Sequence, residues 1–202
     1  MGASREILGQ LVNGDPRPHL ADREPAVRRL AVVALASSDG EDVAELLTGL
    51  AADDDDVHVR AAAIEALGSL GAIGYETVVA ALADDEGVVA EAAATALGEI
   101  GNRAATPVLG VVAAGSQPPI VREAAIAALG AIGDPAALPT LLDIVRTGKP
   151  QLRRRAVVAL TAFDGPEVES AFTAARLDRN PMVREAAEMV LGRSGPEPVD
   201  PG

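Results

Sequence analysis

Two histidines, a run of four aspartates and a set of arginines at matched positions are the residues of this chain that could bind or react. His19 and His58 are the only histidines, and there is no cysteine. A zinc or iron centre needs several imidazole, thiolate or carboxylate ligands at fixed spacing. Neither histidine has such a partner, since His19 precedes Leu20 and His58 precedes Val59. The missing cysteines remove disulfides, thiolate ligands and cysteine nucleophiles together. Asp53 to Asp56 lacks the alternating ligands and central glycine of a calcium loop. Placed just before a helix start, where acids favour the helix dipole, these residues read as a solvated cap. No G-x-S-x-G elbow, P-loop or dinucleotide fingerprint occurs. The expectation is no catalytic residue, no cofactor and no bound metal.

The arginines lead to the architecture. An apolar residue followed by arginine occurs at Val27-Arg28, Val59-Arg60, Val121-Arg122, Leu152-Arg153 and Val183-Arg184, with Val89-Ala90 in the same register. Eight residues after each opening position stands a leucine: Leu35, Leu67, Leu97, Leu129, Leu160 and Leu191. Self-similarity at a period of about 30 residues marks a repeat array, in which no unit can bury its apolar face alone. An arginine at the start of every second helix reads as a structural tie. It can hydrogen-bond carbonyls or acids of an adjacent turn, such as those around Asp54 and Asp85.

Each copy holds two helices. Val121, Ala125, Ala128, Leu129 and Ile132 form one stripe of a 3.6-residue helix, and Leu138, Leu141, Leu142 and Val145 form a second. Between them Gly133 stops the first helix, Asp134 caps the next and Pro135 opens it. The pattern predicts first helices near 3–12, 41–52, 74–83, 103–114, 136–147 and 166–177. The second helices fall near 25–37, 57–70, 88–100, 119–132, 151–163 and 181–192. Residues 1–192 thus read as a single solenoid, and 193–202, with three prolines and no apolar pattern, as a disordered tail.

The copies "VREAAIAALGAIGDPAALPTLL" and "VRAAAIEALGSLGAIGYETVVAAL" resemble the short HEAT-like repeats of phycobilisome bilin lyases, over about residues 3–192. The resemblance implies an all-α fold, a right-handed alpha-alpha superhelix of about six helix pairs. It is not specific for activity, because such repeats serve as lyase subunits, regulatory adaptors and artificial binding scaffolds. Ala90 and Thr161 depart from the family's usual Arg and Gly, and the first inter-helix loop, "NGDPRPHLADREP", is longer than its equivalents. The His-Glu pairs of the family's di-iron hydroxylase branch are absent here. Gly68, Gly98, Gly130 and Gly192 belong to the helix ends of the repeat.

Composition narrows the partner. The net charge of -13 over 202 residues disfavours nucleic acid, whose binding draws on clustered Lys and Arg. No apolar run approaches the roughly 18 residues needed to cross a bilayer, and the N-terminus lacks a basic leader. Gly2 is followed by Glu6 where a myristoylation signal has Ser or Thr. The chain reads as a cytoplasmic monomer that binds neither nucleic acid nor membrane. Only 1% of residues are aromatic, so the core must be built from Ala, Leu, Val and Ile.

What remains is surface. In HEAT-like stacks the second helices line the concave side, and positions two and six after the opening residue point away from the buried stripe. The first column reads Arg29, Ala61, Glu91, Glu123, Arg154, Glu185, and the second Val33, Glu65, Thr95, Ala127, Val158, Met189. With Glu99 and Arg155, and without Ala61, these form the candidate partner-binding face. Six helices stacked about 10 Å apart would make it roughly 50 to 60 Å long. The expected function is a non-catalytic interaction module or scaffold holding a helix or extended segment of another protein, through a basic or amphipathic stretch. The alternative is a bilin lyase or lyase-like subunit handling a tetrapyrrole, which a pigment absorbance after co-expression with a bilin pathway would reveal.

Overall fold

The computed structural model describes residues 14–192. The helix expected near 3–12 and the tail from 193 lie outside them. The described residues form eleven α-helices joined by short turns, with no strand. Packing divides the chain into two compact units, Met1–Asn102 and Arg103–Gly202.

The first unit holds α1 (Pro25–Leu35), α2 (Val43–Asp53), α3 (Val57–Ser69), α4 (Tyr75–Ala81) and α5 (Gly87–Ile100). The second helices α1, α3 and α5 pack side by side, and the first helices α2 and α4 form a layer against them. The recurrent leucines explain the layering. Leu35, Leu67 and Leu97 are fully buried, as are Val59 and Val89 at the opening positions. The long first loop is anchored, not loose: residues Arg17–His19 form a 3-10 turn, Leu20 is buried, and Arg17 forks onto Asp42 at 2.7 Å through both Nε and Nη2.

The second unit holds α6 (Thr106–Ala114), α7 (Pro119–Ile132), α8 (Leu138–Thr147), α9 (Pro150–Ala159), α10 (Pro166–Ala175) and α11 (Pro181–Gly192). Here α7, α9 and α11 are neighbours, and α6, α8 and α10 make the other layer. Val121, Ala125, Ala128 and Leu129 are buried as the stripe requires, and so are Leu141, Leu160 and Val183. Proline opens α7, α9, α10 and α11, where its missing N–H costs no helical hydrogen bond.

Two glycine roles separate. Gly101 and Gly133 end α5 and α7 in the left-handed region, at φ 68° and 62°, and Asp134 then accepts from Ala136 N to cap the turn that follows. Gly68 and Gly130 lie in the last turns of α3 and α7, as expected, and serve there also as seats for the neighbouring helix. A Cβ on Gly68 would lie 2.7 Å from Ala96 Cβ, and one on Gly130 would lie 2.8 Å from Ala159 Cα. Second helices can approach this closely only where one of them lacks a side chain.

Candidate protein-binding face

The recurrent arginines lie at the N-terminal ends of the second helices and join successive layers. Arg28 donates from Nε and Nη2 to the two carboxylate oxygens of Asp54, at 2.8 and 2.6 Å, and from Nη1 to Asp22 O at 2.9 Å. Arg60 repeats the pattern on Asp84 at 3.2 and 3.3 Å, with Nη1 on Asp54 O at 3.0 Å. Asp54 therefore takes one arginine on its carboxylate and the next on its carbonyl. In the second unit Arg153 forks onto Asp178 at 2.8 and 2.7 Å, and Arg184 Nη1 reaches Asp178 O at 2.8 Å. The acid serving Arg60 is Asp84, not Asp85, and Asp84 stands five residues before the next opening pair, Val89-Ala90, as Asp54 stands before Val59-Arg60.

These ties are partly buried. The Arg28 and Asp54 side chains are 10% and 4% exposed, which corrects the reading of Asp53 to Asp56 as a solvated cap. Only Asp56 caps, accepting from His58 N and Val59 N; Asp53 ends α2, Asp54 is buried in the tie and Asp55 is exposed beside Arg28. Burial pushes the Asp54 carboxyl upward, but the Arg28 fork and the Asp56 N–H outweigh it and hold the group below the usual carboxylate range. For Asp178 the Arg153 hydrogen bonds dominate and the shift is again downward, against burial. Arg28 and Arg153 are correspondingly held more firmly protonated by their aspartates.

Two of the five recurrent arginines, Arg122 and Arg184, meet only carbonyl oxygens among the described residues, and for Arg122 the structure shows why. Arg122 donates from Nε to Ala113 O at 2.9 Å. The Gly148 carbonyl serves Arg153 as the Asp54 carbonyl serves Arg60, but glycine has no carboxylate to return to Arg122. A side chain could not be added there without movement, since a Cβ on Gly148 would sit 2.6 Å from Ile144 O.

Away from these ties, the second helices present the expected outward columns. In the first unit Arg29, Val33, Glu65, Thr95 and Glu99 are exposed and Glu91 is half-buried. Thr95 is turned back to its own helix, its Oγ1 donating to Glu91 O at 3.0 Å. Ala61 departs from the column, being 6% exposed, because so small a residue is covered where α3 packs between α1 and α5. In the second unit Arg154, Val158, Glu185 and Met189 are exposed, while Glu123, Ala127 and Arg155 are half-buried. Val33, Val158 and Met189 are 61%, 43% and 62% exposed, large apolar side chains left to solvent at one repeat position.

Two clefts of the second unit escaped sequence reasoning. The first, about 270 Å³, lies between α7 and α9 and brings together Ala127, Arg155 and Val158 of the candidate face with Gly130, Ala131 and Ala162. Its sequence signal is the concentration of Gly and Ala at the facing positions. The second, about 700 Å³, lies in the first-helix layer between α8 and α10, over Leu142, Val145, Ala171 and Ala174, with Arg146 and Glu167 at its edge. Among the described residues no three His, Cys, Asp or Glu side chains converge as a metal site would need, and no helix is long and apolar enough to cross a membrane.

Comparison with known proteins agrees with the all-helical repeat fold. No curated sequence is a match to the chain. Among solved structures, YibA of Escherichia coli aligns with a TM-score of 0.67 at 19% identity, over 95% of this chain and 75% of that one. The complex of CpcE and CpcF of phycocyanin lyase from Nostoc sp. aligns at 0.64 and 21% identity, over 75% of this chain and 99% of its own. A designed armadillo repeat protein in complex with the peptide (KR)4 aligns at 0.57 and 16%, over 90% and 99%. Identities this low establish the alpha-solenoid fold alone. A family model of HEAT repeats matches residues 16–84 and 75–161, most of the chain. The chain belongs to the HEAT repeat family.

Proposed function

We propose that this HEAT repeat protein is a non-catalytic interaction scaffold, holding a helix or extended segment of another protein along its second helices. One observation carries the reading. Positions that face the core repeat almost unchanged, while the outward columns of the same helices vary in size and charge and leave Val33, Val158 and Met189 exposed. Large apolar side chains that recur at one repeat position of three second helices, among polar neighbours, suit anchors for a protein partner.

Charge supports a basic or amphipathic segment as the occupant. Glu65, Glu91 and Glu99 lie on the second helices of the first unit, and Glu123 lies on α7 of the second. Acids along the second helices of a unit steer and orient a basic partner. The armadillo relative named above is itself in complex with a basic peptide, (KR)4. An octapeptide of alternating lysine and arginine is therefore the probe of choice. Replacing Glu91 and Glu123 by lysine should weaken its binding about tenfold or more and remove most of its salt dependence. The matched reversal of Glu45 and Glu76, exposed on the first helices α2 and α4, should change little. The opposite pattern would move the interface to the first-helix layer.

A further inference from the structure

Arg155 is the residue that the scaffold reading leaves unexplained. It stands three positions after an opening residue, where the other copies carry Leu30, Ala62, Ala92, Ala124 and Ala186. An arginine in a column otherwise apolar must be accommodated, and here it is accommodated poorly. Its Nε is buried and has no hydrogen-bond partner. A desolvated donor without an acceptor is unfavourable until an acceptor arrives.

The surroundings point to what that acceptor is. Arg155 lines the cleft of about 270 Å³ between α7 and α9, whose walls are the small residues Ala127, Ala131 and Ala162 with Val158 at the rim. Gly130 sets the floor by letting α7 close onto Ala159. Helix α9 begins P-Q-L-R-R-R, and of its three arginines only Arg153 is committed to an aspartate. Neither Arg154, exposed beside the cleft, nor Arg155 forms an ion pair among the described residues. In a chain of net charge -13 this is a local cationic site with room beside it. The Arg155 side chain is half-buried, with Nε covered; its Nη1 and Nη2 groups can meet a carboxylate with two parallel hydrogen bonds, and a small rotation of the side chain would bring Nε to an acceptor as well.

We propose that the cleft between α7 and α9 is a carboxylate-binding subsite, in which Arg155 receives an aspartate or glutamate side chain from an acidic segment of a protein partner. The proposal deepens the scaffold reading and rests on the second helices being the binding face. It adds that a partner docked on the second helices of the second unit must present an acid of its own at α9.

The test uses the full chain labelled with ¹⁵N-arginine and reads the Nε–Hε resonances during titration with N-acetylated, amidated tetraglutamate. Tetraglutamine is the uncharged control. The expected result is a saturable shift of the Arg155 resonance by tetraglutamate alone, with Arg146, paired with Asp143 on α8, unmoved. Compared with the parent chain by calorimetric titration, since it has no Arg155 resonance to follow, Arg155→Ala, the residue of most other copies, should keep the melting temperature and lose affinity about tenfold or more. Arg155→Lys keeps the charge but not the fork and should lose a similar amount. Equal, unsaturable shifts of Arg146, Arg154 and Arg155 would overturn the subsite, as would full binding by Arg155→Lys or no shift at all. None of these outcomes touches the basic-peptide test at Glu91 and Glu123. Failure of that test with saturable tetraglutamate binding would remove the basic partner and leave the subsite.

Discussion

The arginines at Arg153 and Arg122 occupy the same repeat position in the same unit and do different work. Arg153 is 5% exposed at its side chain and clasps Asp178 with two hydrogen bonds; Arg122 reaches only the Ala113 carbonyl. The difference lies not in the arginine but in the turn one repeat later, which offers Asp178 in one case and Gly148 in the other. A repeat position therefore predicts a role only when both halves of the pair are present. In the first unit both halves recur twice, so that Asp54 joins Arg28 and Arg60 into one continuous tie.

Removing the acid from a complete tie should give the largest loss. Asp178→Ala leaves Arg153 buried and unpaired, which costs about 3 to 5 kcal/mol where no other acid can substitute. Asp54→Ala should cost distinctly less, because Asp55 already accepts from Arg28 Nη2 and can take over part of its charge. Arg122→Ala, which removes one hydrogen bond to a carbonyl, should cost only about 1 kcal/mol. Urea unfolding of the three variants measures the order, and Arg122→Ala matching Asp178→Ala would erase the distinction between complete and incomplete ties.

Acid sharpens the same comparison with a smaller effect. The folded-state pKa values of Asp54 and Asp178 lie below their unfolded values, so the unfolded chain binds protons first as pH falls. Their stabilisation is complete above the unfolded carboxylate pKa of about 3.9 and is lost as pH drops through the lower folded values. Melting temperatures should hold between about pH 7 and 5 and fall below about pH 4, with part of that fall missing in Asp178→Asn. An acid limb of unchanged depth in that variant would show that other carboxylates govern it.

Much of the fold was legible because its signal is local. Val121, Ala125, Ala128 and Leu129 mark a buried stripe within fourteen residues, and Gly133 with Asp134 punctuates it. The ties were legible as a kind of interaction but not in their partners. Choosing Asp84 over Asp85, or seeing that Asp54 is buried, depends on how helices about 25 residues apart come together. Ala61 escaped for a related reason, since an alanine at an outward position can still be covered by its neighbours. The column rule did place Arg29, Val33, Glu65, Thr95, Glu99, Arg154, Val158, Glu185 and Met189 at exposed positions. It could not show that Ala127 and Arg155 share a cleft, because that requires the depth set by Gly130 against Ala159.

The face used for binding is the claim on which the account turns, and carboxyl footprinting addresses it without altering the protein. The full chain is labelled with a carbodiimide and an amine in the absence and presence of the alternating lysine–arginine octapeptide, and each acid is quantified by mass spectrometry. The account predicts protection of Glu65, Glu91, Glu99 and Glu123 on the second helices, with Glu45, Glu76 and Glu169 on the first helices labelled as before. Protection confined to Glu45, Glu76 and Glu169 would contradict it.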